Sequence, residues 1–174
     1  MNDAPFAAAA LSAAALSAPQ DRASFTCGVE PLDRYFRQQA SQDIRRRIAT
    51  CFVLIEGATG AVAGYYTLAA TNVLTSQLPA AIVAKLPRYA AIPAVLIGRL
   101  AVATAFQGRK LGSVLLADAI TRAARADIAT YAVLVDPKDD AAHRFYRHYG
   151  FVDLSPDRRM FIPIESALRF FRAH

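Results

Sequence analysis

The segment Gln107-Gly108-Arg109-Lys110-Leu111-Gly112-Ser113 carries the clearest chemical signal in the chain. It follows an apolar run ending at Thr104 and precedes a helical pattern beginning near Leu111, so the layout is strand, glycine-bearing turn, helix. Unpaired amides at a helix N-terminus point outward with partial positive charge, and glycines let an anion such as a pyrophosphate come close to them. Arg109 and Lys110 add charge at the same spot. The turn alone is equally compatible with an ordinary connection that binds nothing, because short glycine motifs recur by chance. A second concentration of charge, Arg45-Arg46-Arg47 with Arg34 and Arg37 before it, suits phosphate contacts or a plainly solvated face. His143 and His148 lie five apart on one predicted helix and read as exposed or capping residues. Asp139-Asp140 reads as serving that helix's N-terminus. Cys27 and Cys51 lack a CxxC spacing, which disfavours a zinc site or a disulfide framework and suits a reducing cytoplasm; no metal is expected.

These residues need a scaffold, and the composition bounds it. With 174 residues, 55% of them hydrophobic, one core is expected, and hence a single domain over 1–174, with residues 1–18 as a flexible N-terminus that includes a first strand. Twenty Lys and Arg against fourteen Asp and Glu leave a net charge of +6, which attracts nucleotides, nucleic acids or acidic proteins without choosing among them. The alanine-rich stretch Phe6 to Leu16 has no Lys or Arg before it and is far shorter than the ~20 residues needed to span a bilayer, so a soluble cytoplasmic protein is expected.

The spacing of Leu32, Tyr35, Phe36, Ala40, Ile44 and Ile48 predicts one long amphipathic helix or a helix pair. Thr50 to Ile55 and Val62 to Leu74 read as a β-hairpin. Thr75 to Pro93, punctuated by three prolines, reads as a loop with one helical turn near Ala80 to Leu86, bordering a substrate site. Ala94 to Thr104 reads as a central strand buried on both faces, with Gly98 marking a bulge. A helix from Leu111, a strand Tyr131 to Val135, a helix Asp139 to Tyr149 stopped by Gly150, strands Phe151 to Leu154 and Arg159 to Ile162, and a helix Ile164 to Phe171 follow.

Gln107 to Gly112 resembles the acetyl-CoA motif of the GNAT N-acetyltransferases, which reads Arg or Gln, two residues, Gly, one residue, then Gly or Ala. Lys110 stands at the first of the two motif glycines, a departure from that pattern. Asp136-Pro137 followed by Phe145-Tyr146-Arg147-His148-Tyr149-Gly150-Phe151 resembles the later GNAT segment that flanks the thioester. From Phe25 onward, Phe25-Thr26-Cys27-Gly28, Leu32-Asp33, Phe36 and Gly98-Arg99-Leu100-Ala101-Val102 resemble the GNAT toxins of bacterial toxin-antitoxin modules. The resemblance implies an α/β (α+β layered) GNAT acyl-CoA N-acyltransferase fold, a mixed and mostly antiparallel central sheet with helices on both faces.

The resemblance also implies an acetyl-CoA-dependent N-acetyltransferase that modifies the α-amino group of aminoacyl-tRNA and blocks translation. Leu100, Ala101 and Val102 would pair with the pantetheine arm, Gln107 to Ser113 would hold the pyrophosphate, and Phe145 would border the cofactor. Tyr146 would be the general acid at the CoA sulfur; without the resemblance it reads as a packing aromatic. Arg34, Arg37, Arg45, Arg46, Arg47, Arg88 and Arg99 are the candidate tRNA contacts. The implied partners are aminoacyl-tRNA and a ribbon-helix-helix antitoxin, with homodimerisation left open and no membrane. Ala94 to Phe106 carries no carboxylate base; a lysine amine near ~10.4 needs one, whereas an α-amine near ~7.7 to 8.0 is substantially neutral already. A GNAT acting on protein N-termini or small amines, and a non-catalytic basic RNA- or protein-binding module, are the competing expectations.

Overall fold

The computed structural model of the chain describes residues 11–17, 20–154 and 156–174. Its strands are β1 (Leu11–Ala15), β2 (Thr50–Glu56), β3 (Val62–Leu74), β4 (Ala91–Val102), β5 (Ala132–Val135), β6 (Val152–Asp153) and β7 (Met160–Pro163). Its helices are α1 (Glu30–Arg34), α2 (Ala40–Arg45), α3 (Ala80–Val83), α4 (Leu111–Arg125), α5 (Asp140–His148) and α6 (Ile164–Ala173). The strands form one seven-stranded mixed sheet in the order β1-β2-β3-β4-β5-β7-β6. β4 and β5 run parallel, while β1/β2, β5/β7 and β6/β7 are antiparallel. Of the N-terminal stretch expected to hold a first strand, Leu11–Ala15 is β1; residues 1–10 and 18–19 lie outside the described residues.

The chain divides into two compact units, one made of the residues up to Thr67 with Arg99–Leu116, the other of Leu68–Gly98 with Ala117–His174. The first unit is built around an aromatic core. Phe36 stacks on Tyr65 at 4.4 Å, Phe25 meets both edge-on, and the Tyr65 hydroxyl donates to the Leu32 carbonyl at 2.7 Å. The helix predicted over this region is continuous but widens: between α1 and α2, Tyr35–Gln39 form a π-helical segment, in which the Ala40 N–H reaches the Tyr35 carbonyl. The wider turn lets Tyr35, Phe36 and Ala40 all face the core.

The helix ends sooner than its apolar pattern predicts. Arg47 adopts a left-handed conformation (φ 58), its N–H bonds the Ile44 carbonyl, and the Ile48 N–H bonds the Asp43 carbonyl. This is a Schellman ending with arginine where glycine is usual. Ile48 therefore leaves the helical face and is 63% exposed, contrary to the predicted stripe.

The second unit has its own core of Val73, Ile92, Ala132, Leu134 and Phe161 with their neighbours. β5 is buried along its whole length, as its unbroken apolar run demands. Asp139 caps α5 by accepting the Ala142 N–H at 2.8 Å, and Gly150 (φ 91) takes the left-handed turn at its end. The central strand starts at Ala91, earlier than expected, because Ala91 to Pro93 join it rather than the loop, and it stops at Val102 where Thr104–Phe106 turn into a short 3-10 segment.

Candidate active site

The turn after β4 is tied down by its own side chains. The Gln107 amide donates to the carbonyls of Val102 and Cys27, each at 3.0 Å, so its N–H groups hold the loop against the strand it has just left. Gly108 (φ 80) has open space where a side chain would stand. Lys110 has φ 59, a conformation that glycine adopts freely and that strains a residue with a Cβ. The Ser113 hydroxyl and N–H both bond the Lys110 carbonyl, at 2.7 and 3.2 Å, which locks the entry to α4. Leu111 is buried and anchors the loop, whereas Gln107, Gly108, Arg109 and Lys110 are exposed and Gly112 and Ser113 half-buried. The Arg109 guanidinium lies 5.3 Å from the centre of the Phe106 ring.

β4 itself is shared unequally between its neighbours. Its register with β5 runs from Ala94↔Ala132 to Ile97↔Val135 and ends there. Leu100, Ala101 and Val102 thus lie beyond the last position paired with β5, where the Val102 carbonyl takes the Gln107 amide and the Ala101 carbonyl lies toward Gly64 of β3. On the other side β3 comes close: a Cβ on Gly64 would lie 2.8 Å from the Ala101 carbonyl oxygen and 2.8 Å from Leu115 Cδ1.

A strand that runs on past its last position paired with β5, followed by a glycine turn at the N-terminus of a fifteen-residue helix, fits a nucleotide-linked thioester. Comparison with known proteins agrees: the model of the acetyltransferase (GNAT) family matches residues 16–151. The chain belongs to the GNAT family. It is an N-acetyltransferase. It is 37% identical over 143 residues to the tRNA-acetylating toxin of Mycobacterium tuberculosis, covering 81% of this chain and 83% of that one. It is 30% identical to a probable toxin TacT of Sinorhizobium fredii, covering 83% and 85%. Among solved structures, AtaT complexed with acetyl-methionyl-tRNA superposes with a TM-score of 0.83 at 28% identity, covering 92% of this chain and 99% of that one. AtaTR bound with acetyl-CoA gives 0.78 at 28% identity, covering 92% and 98%.

In this GNAT chain Tyr146 lies on α5 and is 8% exposed, its ring edge-on to Phe145 at 5.1 Å and to Phe151 at 5.4 Å. Among the described residues no protein group hydrogen-bonds its hydroxyl. Burial pushes that hydroxyl's pKa far above its ordinary value, so it is neutral and holds its proton throughout the physiological range. Phe145 is half-buried beside it.

The candidate RNA arginines separate into two kinds. Arg34, Arg45, Arg46, Arg47 and Arg88 are exposed. Arg45–Arg47 wrap the end of α2 instead of lining one helical face, since Arg45 is its last residue, Arg46 its cap and Arg47 left-handed. Arg37 turns inward, donating twice to the Phe25 carbonyl, at 3.1 and 3.0 Å, beside Asp33. Arg99 is half-buried, its guanidinium 3.5 Å above the Tyr35 ring. His143 is neither free nor a cap: its Nε2 pairs with Asp153 at 2.6 Å, beside Arg147.

Two residues that organise the site were absent from the expected set. Gly64 is an isolated glycine in a strand pattern, a known sign of close backbone approach. Asp33 sits on the buried side of α1, 3% exposed, accepting from the Thr26 hydroxyl at 3.0 Å and the Cys27 N–H at 2.7 Å. Burial raises its pKa, but the hydrogen bonds from Cys27 and Thr26 and the Arg37 charge outweigh burial and hold it below the ordinary carboxylate value. A carboxylate on an apolar helical stripe was its visible signal. The segment expected to border a substrate site contributes Ala81, Ile82 and Lys85 to a cavity of about 780 Å³ in the second unit, which contains none of the predicted site residues.

Proposed function

We propose that this enzyme is a toxin that acetylates the α-amino group of aminoacyl-tRNA and thereby blocks translation. The observation that carries the reading is a β4 strand, from Ala91 to Val102, with no carboxylate on it, in a chain 37% identical to a tRNA-acetylating toxin. An enzyme without a strand-borne base suits an acceptor whose amine is already neutral, and an aminoacyl ester has such an amine.

The backbone of Leu100, Ala101 and Val102 would pair with the pantetheine arm, while the turn from Gln107 to Ser113 would hold the pyrophosphate, with Gln107 as the brace of the loop and Arg109 and Lys110 as its charges. The neutral amine attacks the thioester carbonyl, the carbon–sulfur bond breaks, and the leaving thiolate takes the Tyr146 hydroxyl proton; the proton shed by the amine passes to solvent and Tyr146 is reprotonated from there. Bringing the two reactants together supplies much of the rate. Phe145 borders the donor beside Tyr146. Arg34, Arg45, Arg46, Arg47 and Arg88 are the tRNA phosphate contacts favoured by exposure; Arg37 and Arg99 hold the N-terminal core. The whole chain acts as one acetyltransferase domain in the cytoplasm and needs no metal. A ribbon-helix-helix antitoxin is the partner that would silence it, and it works as a monomer or a homodimer.

Incubation with labelled acetyl-CoA and bulk tRNA, either charged or deacylated, tests this. Label should follow charging, and expression in bacteria should arrest growth. Equal labelling of both pools, or none alongside efficient acetylation of peptides, overturns the reading in favour of another amine acceptor.

A further inference from the structure

Four rings, on α5, at the residue that ends it and on α6, form a continuous cluster that acetyl transfer as described uses only at Phe145. Phe145 meets Tyr146 and Tyr149 edge-on, each at 5.1 Å. Tyr149 lies flat on Phe171, 5.5 Å between centres and 8° between planes, and Phe170 lies flat on His174 at 4.5 Å. Phe145, Tyr149, Phe170 and Phe171 are all half-buried, so each keeps surface that reaches solvent.

The surroundings of these rings are basic. Arg144, His148, Arg169 and Arg172 on the same two helices are exposed. Of the acids on those helices, Asp140 is ion-paired to Arg158, which leaves Glu165. Flat rings flanked by cations are what an unpaired stretch of RNA needs, since bases stack on the rings and phosphates meet the charges. An acidic peptide would use the cations and leave the rings idle.

We propose that Tyr149 and Phe171 form a stacking platform for the unpaired 3′-terminal nucleotides of charged tRNA, with Arg144 and Arg172 meeting their phosphates. This rests on the aminoacyl-tRNA reading given above. A nucleotide held on Tyr149 stands two ring contacts from Tyr146, through Phe145, which suits an acceptor whose reacting amine is carried on the terminal nucleotide.

The test compares two acceptors bearing the same amine and ester, charged tRNA and an aminoacyl-adenosine that lacks the upstream nucleotides. Phe171→Leu and Tyr149→Leu keep apolar volume between the helices while removing the stacking face. Each should raise KM for charged tRNA about tenfold, with kcat and the acetyl-CoA dissociation constant kept and KM for aminoacyl-adenosine unmoved. Equal changes with both acceptors, or no change with either, overturn the platform and make the rings helix packing only. Because a variant could lose its fold, the unmodified protein is also cross-linked by ultraviolet light to a short oligonucleotide ending in CCA. Adducts within residues 144–149 or 169–174 support the platform, and adducts confined elsewhere, as on the Arg45–Arg47 segment, overturn it while leaving the aminoacyl-tRNA reading intact. A wild-type enzyme that acetylates neither acceptor overturns both.

Discussion

In the proposed reaction Tyr146 concentrates the chemistry into one hydroxyl. It is buried, free of any hydrogen bond to a described protein group, and kept protonated by its surroundings, so Tyr146→Phe deletes a proton donor and little packing. Turnover should fall ~10² to 10⁴-fold with the melting temperature and acetyl-CoA affinity kept; an earlier melt with unchanged turnover would make it a core residue. Lys110 poses the opposite case, a side chain held in strain at φ 59. Lys110→Gly should relieve about 1 kcal/mol, raising the melting temperature by roughly 2 to 4 °C. If the ammonium meets the pyrophosphate, the same variant should bind acetyl-CoA more weakly and with a flatter salt dependence, as calorimetry at two ionic strengths would show.

At the scale of elements, the proposed donor site depends on how closely β3 lies against the last residues of β4. Gly64→Ala would place a methyl group 2.8 Å from the Ala101 carbonyl oxygen, and a backbone atom cannot swing aside as a side-chain tip can. The expected cost is about 2 kcal/mol in denaturant unfolding, with weaker acetyl-CoA binding if the same strand pairs with the donor as proposed. The hairpin, the α4 helix and the capped α5 were legible because their signals are local: alternation, three-and-four spacing, Asp139 before the helix and Gly150 after it. The short β6, only Val152–Asp153, and the early start of β4 were less so, because strand ends are set by what the neighbouring strand pairs with.

For the molecule as a whole, the net charge of +6 is the property that acts at a distance. Replacing Arg45, Arg46 and Arg47 with alanine should weaken acetylation of charged tRNA and reduce the slope of that loss with salt, while acetyl-CoA binding stays as it was. A kinetic series across ionic strength reads both effects; unchanged tRNA use would return these arginines to an ordinary solvated helix end.

The sequence by itself determined the order of elements, the glycine turn at the head of α4, the family and the chemistry that family performs, because each is written in short-range pattern. It could not separate arginines of one residue type by their partners. Arg37 and Arg45 look alike in a string of letters, yet one donates to the Phe25 carbonyl beside a buried aspartate and the other faces solvent. It also could not show that Gln107 spends its amide on two carbonyls, one of them eighty residues away, or that the pairing of β4 with β5 ends at Ile97. Those facts are pairings between distant segments. A side chain's partner and the end of a strand's pairing exist only once the chain has folded, so only the tertiary structure decided them.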